Sequence, residues 1–433
     1  MSPTANPETL DRESMARLQL ERLRSLVGRI ARDVPFYREQ LSGIAPDDLD
    51  SLNALSKLPF THKKTLRDNY PFGLFAVPRK HVVRIHASSG TTGKPTVVGY
   101  TRSDMALWGE VMARTLGAGG VTEDDVVHNA YGYGLFTGGL GFGHGAETLG
   151  ASTVPVSSGN TARQLMLLED FGATVLCSTP SYALVLAEVA DQEGIDVASR
   201  LRLRVGFFGA EPWTEAMRVE LEGRLGLEAY DVYGLSEVIG PGVAVECREH
   251  RGLHIQEDHF LPEVIDPDSG KPIPGDGEGE LVFTTLTKEA LPLLRYRTRD
   301  RVRLTREPCG CGRTTARMSK VQGRTDDMLI VRGVNVFPSQ IEEALLTVPG
   351  IAPQYLILVD RGKDHMDELE VLVEPTPETE GRGEFALKEL QRTAQEKVES
   401  ILGIRARIRV VSGREIERSQ GKAARVIDRR EKS

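Results

Sequence analysis

Hydrophobic and polar positions change period several times along this chain, and the changes mark its organisation. From about residue 7 to residue 32, Leu20, Leu23, Val27 and Ile30 recur at helical spacing, which predicts an amphipathic helix packed on something larger. Between about residues 80 and 305, short apolar runs alternate with helical stretches. Residues 82–86, 174–177, 203–208 and 280–283 read as strands and 161–171 as a helix, a pattern that predicts an α/β core with largely parallel sheets. A second unit begins after Gly323. Pro338 stands where the first turn of a helix tolerates proline, Ile341, Ala344, Leu345 and Val348 follow at helical spacing, and Pro349-Gly350 stops the run. Strands at 355–359, 368–373 and 406–411, a helix at 385–402, a surface loop at 374–383 and a polar tail complete a small α+β unit of about 110 residues, within the usual range for a domain.

The chain's 433 residues exceed the roughly 250 to 300 at which one hydrophobic core stops growing, so at least two domains are expected, here 1–325 and 326–433. A formal net charge of -8 argues against a surface that wraps nucleic acid. The first residues lack a basic segment followed by an apolar run, and about 18 uninterrupted apolar residues occur nowhere, so neither export nor membrane spanning is expected and the cytoplasm is the expected location. Four cysteines in so long a chain do not make a disulfide framework.

Ser88-Ser89-Gly90-Thr91-Thr92-Gly93-Lys94-Pro95 packs hydroxyls, glycines and one lysine into a turn after a short strand. Backbone N–H groups, hydroxyl donors and a cation in one loop suit phosphate oxygens. It is not a Walker A loop, because Ser88 stands where the first glycine belongs and Pro95 replaces the Ser/Thr that binds magnesium. Taken alone, the segment is equally readable as a surface turn.

Further segments accompany it in a fixed order: Asp68 to Gly73 (DNYPFG), Tyr131 to Gly139 (YGYGLFTGG), Phe208 to Pro212 (FGAEP), Tyr233 to Glu237 (YGLSE), Arg295 to Asp300 (RYRTRD), Gly323 to Asp327 (GRTDD) and Gly421-Lys422. With these, nearly the whole chain resembles the adenylate-forming enzymes, the superfamily of acyl-CoA synthetases, firefly luciferase and peptide-synthetase adenylation domains, and within it the phenylacetate-CoA ligases. The resemblance implies a large multi-layer α/β domain carrying a small mobile α+β domain. It also implies an enzyme that adenylates an aryl-type carboxylic acid with ATP and passes the acyl group to coenzyme A.

By the same resemblance, Glu237 is the magnesium-side carboxylate, a hard oxygen ligand for an ion that also offsets phosphate charge. Asp300 accepts from both ribose hydroxyls. Ser88 to Gly93 and Arg324 serve the nucleotide, and Lys94 in the same loop is catalytic; Gly209, Ala210, Glu211, Asp231, Tyr233, Gly234 and Ser236 line the nucleotide pocket. Lys422 stabilises the charge developing between acid carboxylate and α-phosphate. Asp326 is the hinge, and the loop Gly333, Val334, Asn335 guides the pantetheine arm of coenzyme A. Tyr131, Tyr133 and Phe136 are the candidates for an aromatic acid pocket, or else core residues. Ser157-Ser158-Gly159-Asn160-Thr161 stands where many relatives carry a glycine run, which leaves the acid's identity open.

Cys309-Gly310-Cys311-Gly312 forms a C-x-C knuckle, and Cys247 with His254 lies about sixty residues upstream. The pairing across sixty residues is what the resemblance implies, by likeness to metal-bearing members of the group; three thiolates and an imidazole then suit tetrahedral structural zinc, with His250 and His259 as rival ligands. Cys177, in an apolar strand, reads as a core thiol. Two alternatives to free coenzyme A chemistry stay open: loading of a separate carrier protein, and a nucleotide-binding protein without catalysis. The partner expected is a small aromatic acid; assembly is open, with a homodimer as the commonest option.

Overall fold

The structure is a computed structural model that describes residues 6–88, 95–324, 329–331, 334–361, 367–418 and 425–430. The N-terminal periodicity becomes α1 (Arg12–Asp33), capped by the Asp11 carboxylate on the Ser14 N–H, with Met15, Leu23, Leu26, Val27 and Ile30 buried along one face. It starts later than the periodicity suggests because Asn6 and Pro7 open a separate 3-10 turn, Pro7–Thr9, and extended Leu10 breaks the run. The short helices α2 (Pro35–Gln40) and α3 (Lys63–Asp68) follow, then an antiparallel pair, β1 (Arg84–Ala87) with β2 (Val97–Tyr100).

The parallel half of the large sheet contains β3 (Val126–Asn129), β4 (Ser152–Val154), β5 (Val175–Ser178), β6 (Val205–Gly209) and β7 (Glu228–Leu235), in the spatial order β4-β3-β5-β6-β7. Helices α4 (Arg102–Ala118), α5 (Gly138–Leu149), α6 (Thr161–Asp170), α7 (Pro180–Gln192), α8 (Val197–Arg200) and α9 (Glu215–Leu225) intervene. Side chains alternate across each strand, so Phe207 enters the core shared with α1, α4 and α5, while Phe208 enters the core built by α6, α7 and α9. Cys177 is fully buried, as its apolar strand implied.

Beyond β7 the expectation of parallel strands fails. β8 (Gly240–Glu246), β9 (Leu253–Ile255), β10 (Phe260–Ile265), β11 (Gly277–Thr285), β12 (Tyr296–Thr305) and β13 (Arg317–Met318) continue the same sheet antiparallel, in the order β7-β8-β9-β13-β12-β11-β10, with β14 (Gly323–Arg324) paired to β12. The reason is the connection: only Ser236 to Ile239 join β7 to β8, too short for the helical crossover a parallel neighbour needs.

Another core lies in the C-terminal part. β15 (Leu329–Val331) pairs with β16 (Val334–Val336), α10 (Pro338–Leu346) follows, and β17 (Ile351–Arg361), β18 (Asp367–Pro375), β19 (Arg407–Val410) and β20 (Val426–Asp428) form a sheet in the order β19-β18-β17-β20. Two sequence expectations need correction here. The 374–383 loop contains α11 (Pro377–Gly381), because Thr376 caps the Thr379 N–H and Pro377 suits the first turn; α12 (Glu384–Leu402) then covers the sheet. The polar tail contributes β20, parallel to β17. Among the described residues no helix is long and apolar enough to cross a membrane.

Candidate nucleotide cleft and a Cys/His cluster

The cleft forms where β6 and β7 end and the sheet changes from parallel to antiparallel. Gly209 closes β6, and a Cβ there would meet the Val232 carbonyl oxygen at 2.2 Å; only glycine lets the two strands approach this closely. Ala210 follows at φ 70°, turning the chain so that Glu211, Pro212 and Trp213 rim the opening. Gly234 is equally constrained, its missing Cβ 2.0 Å from the Gly240 carbonyl oxygen, which allows the tight reversal carrying Ser236 and Glu237. Asp300 on β12 sits in register opposite Arg324 on β14.

Together these elements enclose a cavity of about 310 Å³ whose lining includes Ser88, Ala210, Glu211, Asp231, Tyr233, Gly234, Glu237, Asp300 and Arg324. Ser236 lies just beneath, its hydroxyl 3.1 Å from that of Thr137. Tyr233 donates to Asp300 Oδ2 at 2.5 Å, and Arg324 Nε stands 3.9 Å from Oδ1, so the carboxylate is oriented from two sides. Burial, then the Asp300 charge, pushes the Tyr233 phenol well above its ordinary range, which keeps it a donor. Glu237 is 6% exposed with Lys63 Nζ 3.9 Å away. Burial and the neighbouring Glu246 carboxylate push Asp231 up to about 7; its N–H donates to Glu246, which is paired with Arg218 at 2.7 Å.

The sequence pattern missed Lys63, Trp213, Tyr296 and Lys320, which also line the cavity. Trp213 follows the FGAEP segment directly and Tyr296 lies inside RYRTRD, so proximity to those motifs was a usable signal for both. Lys320 Nζ stands 4.6 Å over the Trp213 ring, with the Arg218 guanidinium 4.7 Å from it, and nothing in the sequence marked either cation.

The three aromatic candidates separate in the structure. Tyr131 is buried and stacked on Phe142, ring centroids 5.0 Å apart. Tyr133 is half-buried, its hydroxyl accepting from Asn129 Nδ2 at 2.9 Å and its N–H donating to Ser157 Oγ. Phe136 is exposed beside Gly138. None of the three lines the cavity under Asp300. Val334 lies in β16. Ser89, Gly90, Thr91, Thr92, Gly93, Lys94, Asp326, Gly333 and Lys422 lie outside the described residues, as does the side chain of Asn335.

The second constellation is closed. Ligand atoms of Cys247, His254, Cys309 and Cys311 all lie within 4.8 Å of one another, with Cys247 Sγ 3.7 Å from Cys309 Sγ and Cys311 Sγ 3.4 Å from His254 Nε2. His254 Nδ1 meets the Thr315 hydroxyl at 3.0 Å, which turns Nε2 toward the thiols. Burial, aided by Arg313 and Arg317, lowers His254 to about 4, so its imidazole is neutral. The rivals point elsewhere: His250 pairs with Glu228 and Glu246, and His259 with Asp258 and Thr287.

Residues 45–286 match the family described as AMP-binding enzyme, and residues 333–430 the AMP-binding enzyme C-terminal domain. A phenylacetate-coenzyme A ligase of Aromatoleum evansii is 52% identical over 98% of this chain and 97% of its own length. The chain belongs to the phenylacetate-coenzyme A ligase family of AMP-binding enzymes. It is an acid–thiol ligase that works through an acyl-adenylate and then a coenzyme A thioester, with ATP and coenzyme A as its co-substrates. Among solved structures, a 2-hydroxyisobutyryl-CoA ligase in the postadenylation state is 30% identical and superposes on the ligase over 100% of this chain and 94% of its own, with a TM-score of 0.92. The thioesterification state of that same protein, with the same coverage and identity, superposes at 0.72.

Proposed function

We propose that the acid is phenylacetate or a near aryl relative such as a substituted benzoate. The carrying observation is the full-length likeness to a phenylacetate-coenzyme A ligase, joined to a cavity that gathers Glu237, Asp300, Tyr233 and Arg324 at the strand ends. Asp300, oriented by Tyr233 and Arg324, presents a two-oxygen carboxylate of the kind that accepts from the ribose hydroxyls. Glu237, nearly buried beside Lys63, offers the hard oxygen that fits magnesium, whose charge would balance the departing pyrophosphate. Lys94 and its loop are assigned to the phosphates, and Lys422 to the charge that develops at the α-phosphate as the acid carboxylate attacks. Domains divide at 325/326, Asp326 is the hinge, and the segment 333–335, which runs into β16, guides coenzyme A.

The Cys/His cluster is assigned to structural zinc. Three soft thiol ligands and a neutral imidazole held by the Thr315 hydroxyl make a tetrahedral donor set with no place kept for a reactive water. The experiment that tests the reaction is a panel of aryl and aliphatic acids scored for pyrophosphate release with and without coenzyme A. Phenylacetate or a substituted benzoate should lead the panel and coenzyme A should raise turnover. Preference for a short aliphatic acid, or turnover indifferent to coenzyme A, would refute this reading.

A further inference from the structure

We infer that α7 is a docking rail that seats Arg418 and Arg425, and with them the C-terminal part, for adenylation, with Ser181 and Glu188 as its positioning residues. Arg418 and Arg425 flank residues 419–424 in the sequence, and both reach out of the C-terminal part to the same helix. Arg425 Nη2 donates to Ser181 Oγ at 3.2 Å. Arg418 Nε stands 3.5 Å from Glu188 Oε2, and Gln354 Nε2 donates to Glu188 Oε1 at 3.3 Å. Ser181 and Glu188 are two helical turns apart and therefore share a face of α7.

The strength of the bonds is distributed unevenly. On their own side the arginines are held firmly: Arg418 makes a bidentate pair with buried Glu374 at 2.9 and 2.8 Å, and Arg425 donates to the Pro353 carbonyl at 2.9 Å with its guanidinium 4.4 Å over the Tyr355 ring. The bonds that cross to α7 are the longer ones, 3.2 to 3.5 Å. Arg418 and Arg425 are thus fixed to β17, β18 and their flanks, while the contact with α7 is weak enough to break and re-form in each turnover. The rail also touches the cleft, because the Ser181 N–H donates to Glu211 Oε1 at 2.8 Å and Glu211 lines the nucleotide cavity. The arrangement that carries these contacts superposes on the postadenylation form of the related ligase and less well on its thioesterification form.

The inference rests on the reading that Lys422 serves adenylation alone. Its test separates the half-reactions in the full-length enzyme: ATP–pyrophosphate exchange with phenylacetate for the first, thioester formation from supplied phenylacetyl-adenylate and coenzyme A for the second. Glu188→Arg, which sets like charges against Arg418, and Ser181→Ala/Glu188→Arg should lower the exchange rate about tenfold with the KM for ATP unchanged. Thioester formation should hold steady, and Glu188→Asp should keep most of the exchange rate. A folding defect lowers both halves together, so equal losses, or no loss in either half, would overturn the proposal. Lys422→Ala, run alongside, keeps the two readings apart. Equal losses there refute the role of Lys422, whereas a split for Lys422→Ala with none for the Glu188 variants refutes the rail.

Discussion

The nucleotide cleft and the Cys/His cluster both draw on the antiparallel half of the large sheet, yet they are built in opposite ways. In the cleft, Glu237, Asp300, Asp231 and Arg324 face a cavity of about 310 Å³. In the cluster, the four ligand atoms face one another within 4.8 Å, and Thr315 fixes the imidazole from behind. Polar groups that line an open cavity can meet a molecule that comes and goes, as a co-substrate does. Groups aimed at each other can share one resident ion and need no exchange. The comparison therefore predicts that damage to the cleft side appears in rates, and damage to the cluster in stability.

The largest effect belongs to the cleft side. Lys422→Ala should lower acid-dependent pyrophosphate exchange about 10²- to 10³-fold while thioester formation from supplied acyl-adenylate stays near wild type. An equal fall in both halves would break the assignment. The cluster should behave the other way. Freshly purified protein should contain about one zinc per chain, and Cys309→Ser/Cys311→Ser should lose it, with a clear drop in melting temperature and little change in turnover at low temperature. Undiminished zinc in the double variant, or none in wild type, would dismiss a resident ion; zinc retained in His254→Ala would reopen the question of the fourth ligand.

A smaller effect sharpens the boundary of the acid site. Tyr133 is anchored by Asn129 and its backbone by Ser157, while Phe136 is exposed. Tyr133→Ala and Phe136→Ala should re-rank an acid panel by severalfold, the scale of one lost apolar or hydrogen-bonded contact, with the KM for ATP unchanged. An unaltered ranking would remove both from the acid site. Tyr131, stacked in the core on Phe142, should instead lose stability when truncated, by about 3 kcal/mol or more.

What the sequence made legible follows from how local each feature is. Helical periodicity in α1 and α12 and the apolar runs of β5 and β6 depend on neighbours in sequence and were readable to within a few residues. Strand direction was not, because the short β7–β8 turn looks like any Ser/Glu turn until the sheet around it is known. The choice of His254 over His250 and His259 was likewise closed to sequence, since it depends on β9 pairing with β13 so that His254 stands opposite Arg317. Lys63 and Lys320 reach the cavity from elements far apart in the chain and carry no local mark.

The smallest effect lies where the C-terminal part meets the cleft. Glu342 in α10 is buried, one of its carboxylate oxygens lacks a hydrogen bond, and Arg425 is no closer than 4.0 Å. Burial raises it from the ordinary 4.5 to about 7; Arg425 works against that shift and Glu211 adds to it. An acid whose folded-state pKa is raised contributes stability that is fully present below its ordinary value and is lost as pH rises through the folded value. Between pH 4.5 and about 7, wild type should therefore lose stability relative to Glu342→Gln, which has no proton to give up. The difference in melting temperature should shift in the variant's favour by about 1 to 2 degrees across that interval, on the order of what 1 to 2 kcal/mol produces in a protein of this size. Glu246, held down to about 2 by His250 and Arg218 against its own burial, supplies the internal contrast, since its contribution is lost only as pH falls below the ordinary carboxylate range. A wild-type-to-variant difference that stays constant from pH 4.5 to 8 would mean that Glu342 is charged in the folded protein and is satisfied by Arg425 after all.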